Sequence, residues 1–461
     1  MEKVLLLGTI LLIAGMLILV GCNKKSPAEE VKAEPFTSEV VHPDWSKSVN
    51  FYEVNLRQYT EEGSFSAFAE HLPRLKELGV DVLWFMPIHP IGIKNRKGEL
   101  GSYYSVQDYK AVNPEHGTLE DFRSMLNKAH ELGFFVQLDW VPNHTSWDHP
   151  WAESNPEWYM KNEEGSFIPP LGFDWTDVIQ LDWENMEMQD AMLDALKFWV
   201  EMGVDGFRVD HPHKTPPEFW DKARIELTKI RPVLMLAENE EQTEFLVNGF
   251  DMNYAWELHH MMNEVAQGKK NVSHLRAYFE KENSIYPQNI YRMRFLSNHD
   301  ENSWQGTIEE RMGESHEVMA VFMFTMPGVP LLYGGQEACL DKRLEFFTRD
   351  PIEWKECDKT GLYKDLMRIK RENQALWNGE FGGPMKEINT SKPKRALAFS
   401  RQKDDNTIIS ILNLSRNGLK VKPVFSGLEG EYTDAFNGQK VQLPLSDSLK
   451  LEAWDYLVLF R

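Results

Sequence analysis

Polar and apolar positions along the chain repeat one arrangement three times. A stretch with helical spacing leads to a glycine, and a short apolar run follows. The helical stretches carry Phe65, Phe68, Ala69, Leu72 and Leu75; then Leu119, Phe122, Leu126 and Ala129; then Met192, Leu196, Trp199 and Val200. Gly79, Gly133 and Gly203 suit left-handed caps that close each helix, and the runs 80–85, 134–139 and 204–210 read as strands. Thr118, with Asp121 three residues on, marks one helix start. Repeated helix–glycine–strand units predict parallel strands joined by crossover helices. Further strand candidates are 49–54, 233–236, 294–296 and 329–333, with one near 250–253, which makes eight. The predicted fold is an α/β (β/α)8 barrel. An open doubly wound sheet is the alternative. It normally needs a glycine-rich turn after its first strand, and Glu53-Val54-Asn55-Leu56 has no glycine.

The interval from Gly133 to Gly203 is longer than that from Gly79 to Gly133. Residues 143–183 fill it with Trp, Pro, Asn and Asp lacking helical period, so a short inserted subdomain after strand three is expected. After about residue 379 the texture changes. The runs 396–401, 407–412, 419–424 and 456–460 are β-like and separated by turn residues, which predicts a C-terminal antiparallel β-sandwich over 379–461 beside a barrel over 42–378.

Residues 4–20 are almost wholly apolar, and Leu19-Val20-Gly21-Cys22 ends them abruptly. This resembles a bacterial lipoprotein signal, with residues 1–21 removed and Cys22 carrying lipid. An uncleaved membrane helix is the alternative. Residues 22–41, rich in Lys, Glu, Ser and Pro, read as a flexible tether, which places the protein in the cell envelope, anchored to a membrane. The net charge of −21 repels phosphate backbones and argues against nucleic acid as a partner. Aromatic residues are usually core, but fifteen Trp also suit stacking on sugar rings. The other two cysteines, Cys339 and Cys357, have no histidine pattern that fits a thiol nucleophile.

Polar residues gather where the predicted strands stop. Strand three ends in Asp139-Trp140-Val141-Pro142-Asn143-His144, strand four in Gly206-Phe207-Arg208-Val209-Asp210, strand five in Ala237-Glu238-Asn239, and strand seven in Ser297-Asn298-His299-Asp300. Barrel active sites lie at these C-terminal ends. Three carboxylates from three strands, Asp210, Glu238 and Asp300, match what glycosidic cleavage needs: a nucleophile, a proton donor and a group that steadies an oxocarbenium-like transition state. Arg208 precedes Asp210 by two residues, so both point to one side of the strand, where the guanidinium keeps Asp210 ionised.

These segments, in this order, resemble the four signature regions of the α-amylase family of glycoside hydrolases (family thirteen). The stretches 103–109, 113–118 and 327–337 support the resemblance, which covers about residues 49–355. It implies a retaining hydrolase of α-1,4-glucans such as starch or maltooligosaccharides, with Asp210 as nucleophile, Glu238 as acid/base and Asp300 as stabiliser. It further implies that Tyr104, His144, Arg208 and His299 bind the sugar at the cleavage point, and His213 and Lys214 the next one. No cofactor is implied for the chemistry. Structural calcium is a family trait, and Asn143 is the candidate ligand. Family members often carry Lys then His where this chain has His213 then Lys214, and an Asn where it has Asp182. Competing readings keep the fold as a transglycosylase or isomerase on small α-glucosides, or as a silent glucan-binding protein.

Overall fold

The computed structural model describes residues 36–461, so the lipid signal and Cys22 lie outside the described residues. Eight parallel strands close into a barrel: β1 (Phe51–Val54), β2 (Val82–Phe85), β3 (Phe135–Trp140), β4 (Gly206–Val209), β5 (Leu234–Ala237), β6 (Met252–Tyr254), β7 (Tyr291–Phe295) and β8 (Val329–Tyr333). Each neighbours the next, and β8 pairs with β1. All eight expected strands are present. The one expected at 294–296 is longer, because Arg292 and Arg294 interrupt its apolar reading. They alternate with inward Tyr291, Met293 and Phe295, and bind Glu282 outside the barrel at 2.6–3.0 Å.

Period-two alternation explains the barrel interior. Phe51, Val82, Trp84, Leu234, Leu236, Met252, Met293, Phe295, Val329 and Leu331 fill its lower layers. One or two positions further along the same inward faces, the residues are Glu53, Asp139, Arg208, Asp210 and Glu238. In the β3–β4 register Asp139 lies opposite Arg208. Apolar packing below and charge above therefore come from the same alternation. The outward faces pack against the helices in a second, larger core.

The insertion begins with His144–Ser146, paired antiparallel to Val178–Gln180. Trp158 and Trp183 are buried there, and Trp151 packs edge-on to Trp158 at 5.2 Å. The C-terminal unit has a six-stranded antiparallel sheet and a two-stranded ribbon, Leu419–Val421 with Leu449–Leu451. Ile388, Ala398, Ile409, Ile411, Val421, Phe425, Tyr432 and Leu451 form a separate core. Met385–Glu387, Gly430–Asp434, Lys440–Leu443 and Leu449–Leu451 went unread in the sequence because they are short and largely exposed. Buried Arg401 fastens this unit to the barrel by donating to the carbonyls of Gly383, Met326 and Trp377 at 2.8–2.9 Å. Cys339 and Cys357 form a disulfide, their Cα atoms 6.0 Å apart.

The expected tether reaches residue 41, but from Phe36 onward the chain lies against the barrel. Phe36 meets the Tyr286 ring edge-on, Glu39 N–H donates to the Val247 carbonyl at 2.8 Å, and Val40 is buried. Among the described residues no helix is long and apolar enough to cross a membrane.

Gly206 lets β4 and β5 approach: a Cβ there would sit 2.0 Å from the Leu234 carbonyl oxygen. Gly206→Ala should therefore cost about 3 kcal/mol or more, since backbone must move. Thermal unfolding checks this, and an unchanged Tm would remove the close approach from the argument.

Candidate active site

The site is organised around one buried cation. Arg208 is fully buried and its Nη1 donates to Asp139 at 2.9 and 3.2 Å and to Asp210 at 3.0 Å. Its Nη2 meets the Glu238 carboxylate. Trp84 and Tyr104 place their rings 5.2 and 5.8 Å from the guanidinium. A buried charge persists only when paired, and here three strand ends supply the partners.

A hydrogen-bonded chain extends from this cluster. The Tyr104 hydroxyl donates to Asp139 at 3.2 Å and lies 2.7 Å from His299 Nε2. His299 Nδ1 lies 2.5 Å from Glu53, a fully buried carboxylate at the end of β1. Asp300 Oδ2 is 3.4 Å from His299 Nε2, and Asp300 immediately precedes a single π-helical turn, Glu301–Gln305. Such turns concentrate at functional sites. Behind it, Glu301 is 2.9 Å from buried His259.

Asp210 is followed by His211 in the left-handed backbone region, φ 39°. This costly conformation turns the His211 N–H onto Glu238 Oε2 at 3.1 Å. Glu238 is thereby gripped by backbone on one oxygen and by Arg208 on the other.

The charges do not balance. Arg208 and His299 supply two positive charges, while Glu53, Asp139, Asp210, Glu238 and Asp300 would supply five negative ones. Burial opposes the charge on His299, but Asp300 and Glu53 outweigh it and lift the imidazole to about 9. Burial pushes Asp139 up to about 6, against the pull of Arg208. Burial and the Glu238 charge raise Asp210 well above the carboxylate range despite Arg208, so the guanidinium alone does not keep Asp210 ionised as its place two residues earlier suggested, and burial raises Asp300 and Glu53. For Glu238 burial acts the same way, but Arg208 and His299 overcome it and hold that carboxyl below its usual range. Crowding five carboxylates around two cations thus opposes their full ionisation.

A cleft of about 890 Å³ opens above these groups. Asp210, Glu238, Asp300, Tyr104, His144, His299 and His213 all line it. Burial holds His144 neutral, its pKa pushed down to about 3, with Nε2 3.2 Å from the Tyr104 carbonyl. Lys214 does not join the site. It is exposed, and its Nζ donates to the Leu171 carbonyl at 3.3 Å, away from the lining. Aromatic walls complete the cleft: Trp175, stacked on Phe173 at 4.1 Å, on one side, and Trp304, 5.3 Å from Phe346, on another. Sequence reading missed Glu53, His211, Trp256, Phe346 and Phe347. The Phe346-Phe347 pair after the last barrel strand was a readable signal. Asp139 lay within a quoted motif without a role.

The family model for the α-amylase catalytic domain matches residues 48–164 and 153–378. α-Amylase 3 of Dictyoglomus thermophilum is 26% identical over 446 residues, covering 81% of this chain and 86% of its own. The α-1,4-glucan:maltose-1-phosphate maltosyltransferase of Picrophilus torridus is 27% identical over 412 residues, covering 81% of this chain and 62% of its own. Among solved structures, the noncanonic maltogenic α-amylase AmyB of Thermotoga neapolitana superimposes with TM-score 0.82 at 28% identity. That match covers 90% of this chain and 99% of the other.

The residues around Asn143 do not fit the calcium expected there. Gln180 Nε2 donates to the Asn143 carbonyl (2.8 Å), to Asn143 Oδ1 (3.0 Å) and to the Leu181 carbonyl (3.2 Å). An amide nitrogen thus stands among three oxygens where a cation would, and these contacts bring no carboxylate. Gln180→Ala should lower stability by about 1–3 kcal/mol by stranding buried acceptors. An unchanged Tm in Gln180→Ala would overturn this reading of Asn143. The electrostatics predict a bell-shaped pH profile of kcat/KM. Its acid limb lies near pH 6, where Asp139 gains a proton and loosens Arg208. Its alkaline limb lies near pH 9: the His299 value lies above its ordinary 6.5, so the imidazolium is complete below 6.5 and lost as pH rises through about 9. His299→Gln should remove the alkaline limb and, by taking away a charge that lowers Asp139, move the acid limb upward.

Proposed function

Because this chain belongs to the α-amylase family, whose chemistry is hydrolysis or transfer at α-glucosidic bonds, we propose that it hydrolyses α-1,4 bonds in neutral maltooligosaccharides and starch-derived glucans, with retention. The observation that carries this reading is the convergence of Asp210 and Glu238 on Arg208, with Asp300 beside His299, in one aromatic-walled cleft. Glu238 protonates the leaving oxygen while Asp210 attacks the anomeric carbon. Glu238 then takes a proton from water as the covalent glycosyl–Asp210 bond is broken. Asp300 and His299 hold ring hydroxyls and favour the developing positive charge.

The first step needs a proton on Glu238 and an anionic Asp210. Two carboxylates beside one buried cation share protons, and Arg208, paired with both, is the fixed positive charge that favours the Asp210 anion when Glu238 carries the proton.

Hydrolysis is favoured over transfer involving a sugar phosphate, the reaction named for the Picrophilus relative. Seven carboxylates line the cleft (Asp174, Asp177, Asp210, Glu238, Glu240, Glu241 and Asp300), and among the described residues Lys97 is the one lysine or arginine in that lining, Arg208 lying buried beneath it. A phosphate dianion is repelled there, whereas a neutral glucan is not. The run ending at Cys22 supports lipid attachment in the cell envelope as a further part of the proposal, which mass spectrometry of the native protein tests.

Asp210→Asn should lower kcat on maltoheptaose by about 10⁴-fold or more. Glu238→Gln should lose turnover on maltoheptaose yet still release a first-turnover burst of fluoride from α-maltosyl fluoride, whose leaving group needs no proton, and then stall because the glycosyl–Asp210 bond lacks its base. Proton NMR should show α-anomers first, with no product requiring phosphate. Full activity in Asp210→Asn, or β-anomers first, would sink the assignment.

A further inference from the structure

Three loops on one half of the barrel rim interlock. Residues 91–102, after β2, are pinned to the insertion on one flank: Ile93 N–H donates to Asp148 at 2.9 Å, and Lys97 Nζ meets the Asp174 carbonyl and lies 3.6 Å from Asp177. On the other flank Leu100 N–H donates to the Phe347 carbonyl at 2.9 Å. Gly98 touches Phe347 so closely that a Cβ there would lie 2.4 Å from the Phe347 Cβ. Beneath this junction Arg57, fully buried, donates to the carbonyls of Gly101 (3.0 Å) and Phe346 (3.2 Å) and stacks on Tyr103 at 4.1 Å. A buried guanidinium bonded to both loops makes a fixed wall, not a loose flap.

The chemistry says which end of the substrate meets this wall. The leaving group must lie against the acid Glu238, so its sugars continue over Glu240, Glu241 and Trp256 on the β5–β6 side. The ring being cleaved lies between Asp210 and the Tyr104–His299–Asp300 group. The rest of the glycone points the other way, where Phe346 stands 6.4 Å from Tyr104 with nearly parallel rings, followed by Phe347, Trp304 and Lys97.

We infer that this wall closes the glycone end of the cleft, so that the protein removes mono- or disaccharides from non-reducing chain ends, with Lys97 and Phe347 setting product length. The inference rests on the hydrolase reading and on Glu238 as its acid. The test uses p-nitrophenyl maltoheptaoside, with the non-reducing end free or blocked by a 4,6-O-ethylidene group. The blocked substrate should be cut at least about tenfold more slowly by kcat/KM, and the free one should release glucose or maltose from its non-reducing end. Lys97→Ala combined with Phe347→Ala should narrow that gap and lengthen the first products, a change that mere loss of stability does not produce. Equal cutting of both substrates, or unchanged product lengths in the double variant, overturns the wall. No cutting of either overturns the hydrolase reading itself, and the inference with it.

Discussion

Burying Arg208 at the mouth of the barrel is the constraint from which the rest of the site follows. A guanidinium taken out of water needs anionic partners on every side, and the barrel provides them by register. Asp139 lies opposite it on β3, Asp210 two residues on, and Glu238 on the neighbouring strand. Once these carboxylates crowd one cation, their mutual repulsion opposes full ionisation, and the second cation, His299, forms because Glu53 and Asp300 face it. The crowding of Asp139, Asp210 and Glu238 is thus a consequence of one buried charge and of the alternation that aims it inward.

Local backbone rules break where that cluster needs help. His211 takes a left-handed conformation so that its N–H reaches Glu238, and Asp300 opens a π-helical turn in place of an α-helical one. Both irregularities flank proposed catalytic groups, while the strands beneath them are regular. Rigidity below and strain above divide the work: packed Trp84, Phe295 and Leu331 hold positions that the strained residues then fine-tune.

The barrel was legible because its signals are local and repeated. Helix spacing, capping glycines and apolar runs recur in phase, and strand ends announce themselves by a change from apolar to charged residues. What was obscure depends on partners far along the chain. Arg292 and Arg294 hid half of β7, since a charged outward position looks like a loop until Glu282 is placed beside it. Lys214 sat in a familiar motif, yet the insertion's Leu171 carbonyl draws it outward. Asn143 carried the expectation of a cation that Gln180, thirty-seven residues on, satisfies with an amide. Glu53 and Phe346 likewise acquire meaning only when β1 and β8 close the ring.

The acidity of the cleft then sets how affinity has to arise. A net charge of −21 and a carboxylate-lined site offer a neutral glucan no long-range attraction. Binding must come from short-range terms: ring stacking on Tyr104, Trp175, Trp256 and Trp304, and hydrogen bonds from hydroxyls to fixed acceptors. Such terms act only when the walls are already in place, because ordering a loose loop would consume the gain. The fully buried Arg57 clasp and the Gln180 amide hold the two flanks of the cleft before any sugar arrives. Preorganisation of the rim is therefore the counterpart of the crowded charge at the centre: the centre supplies reactivity, and the fixed rim supplies the binding that the charge cannot.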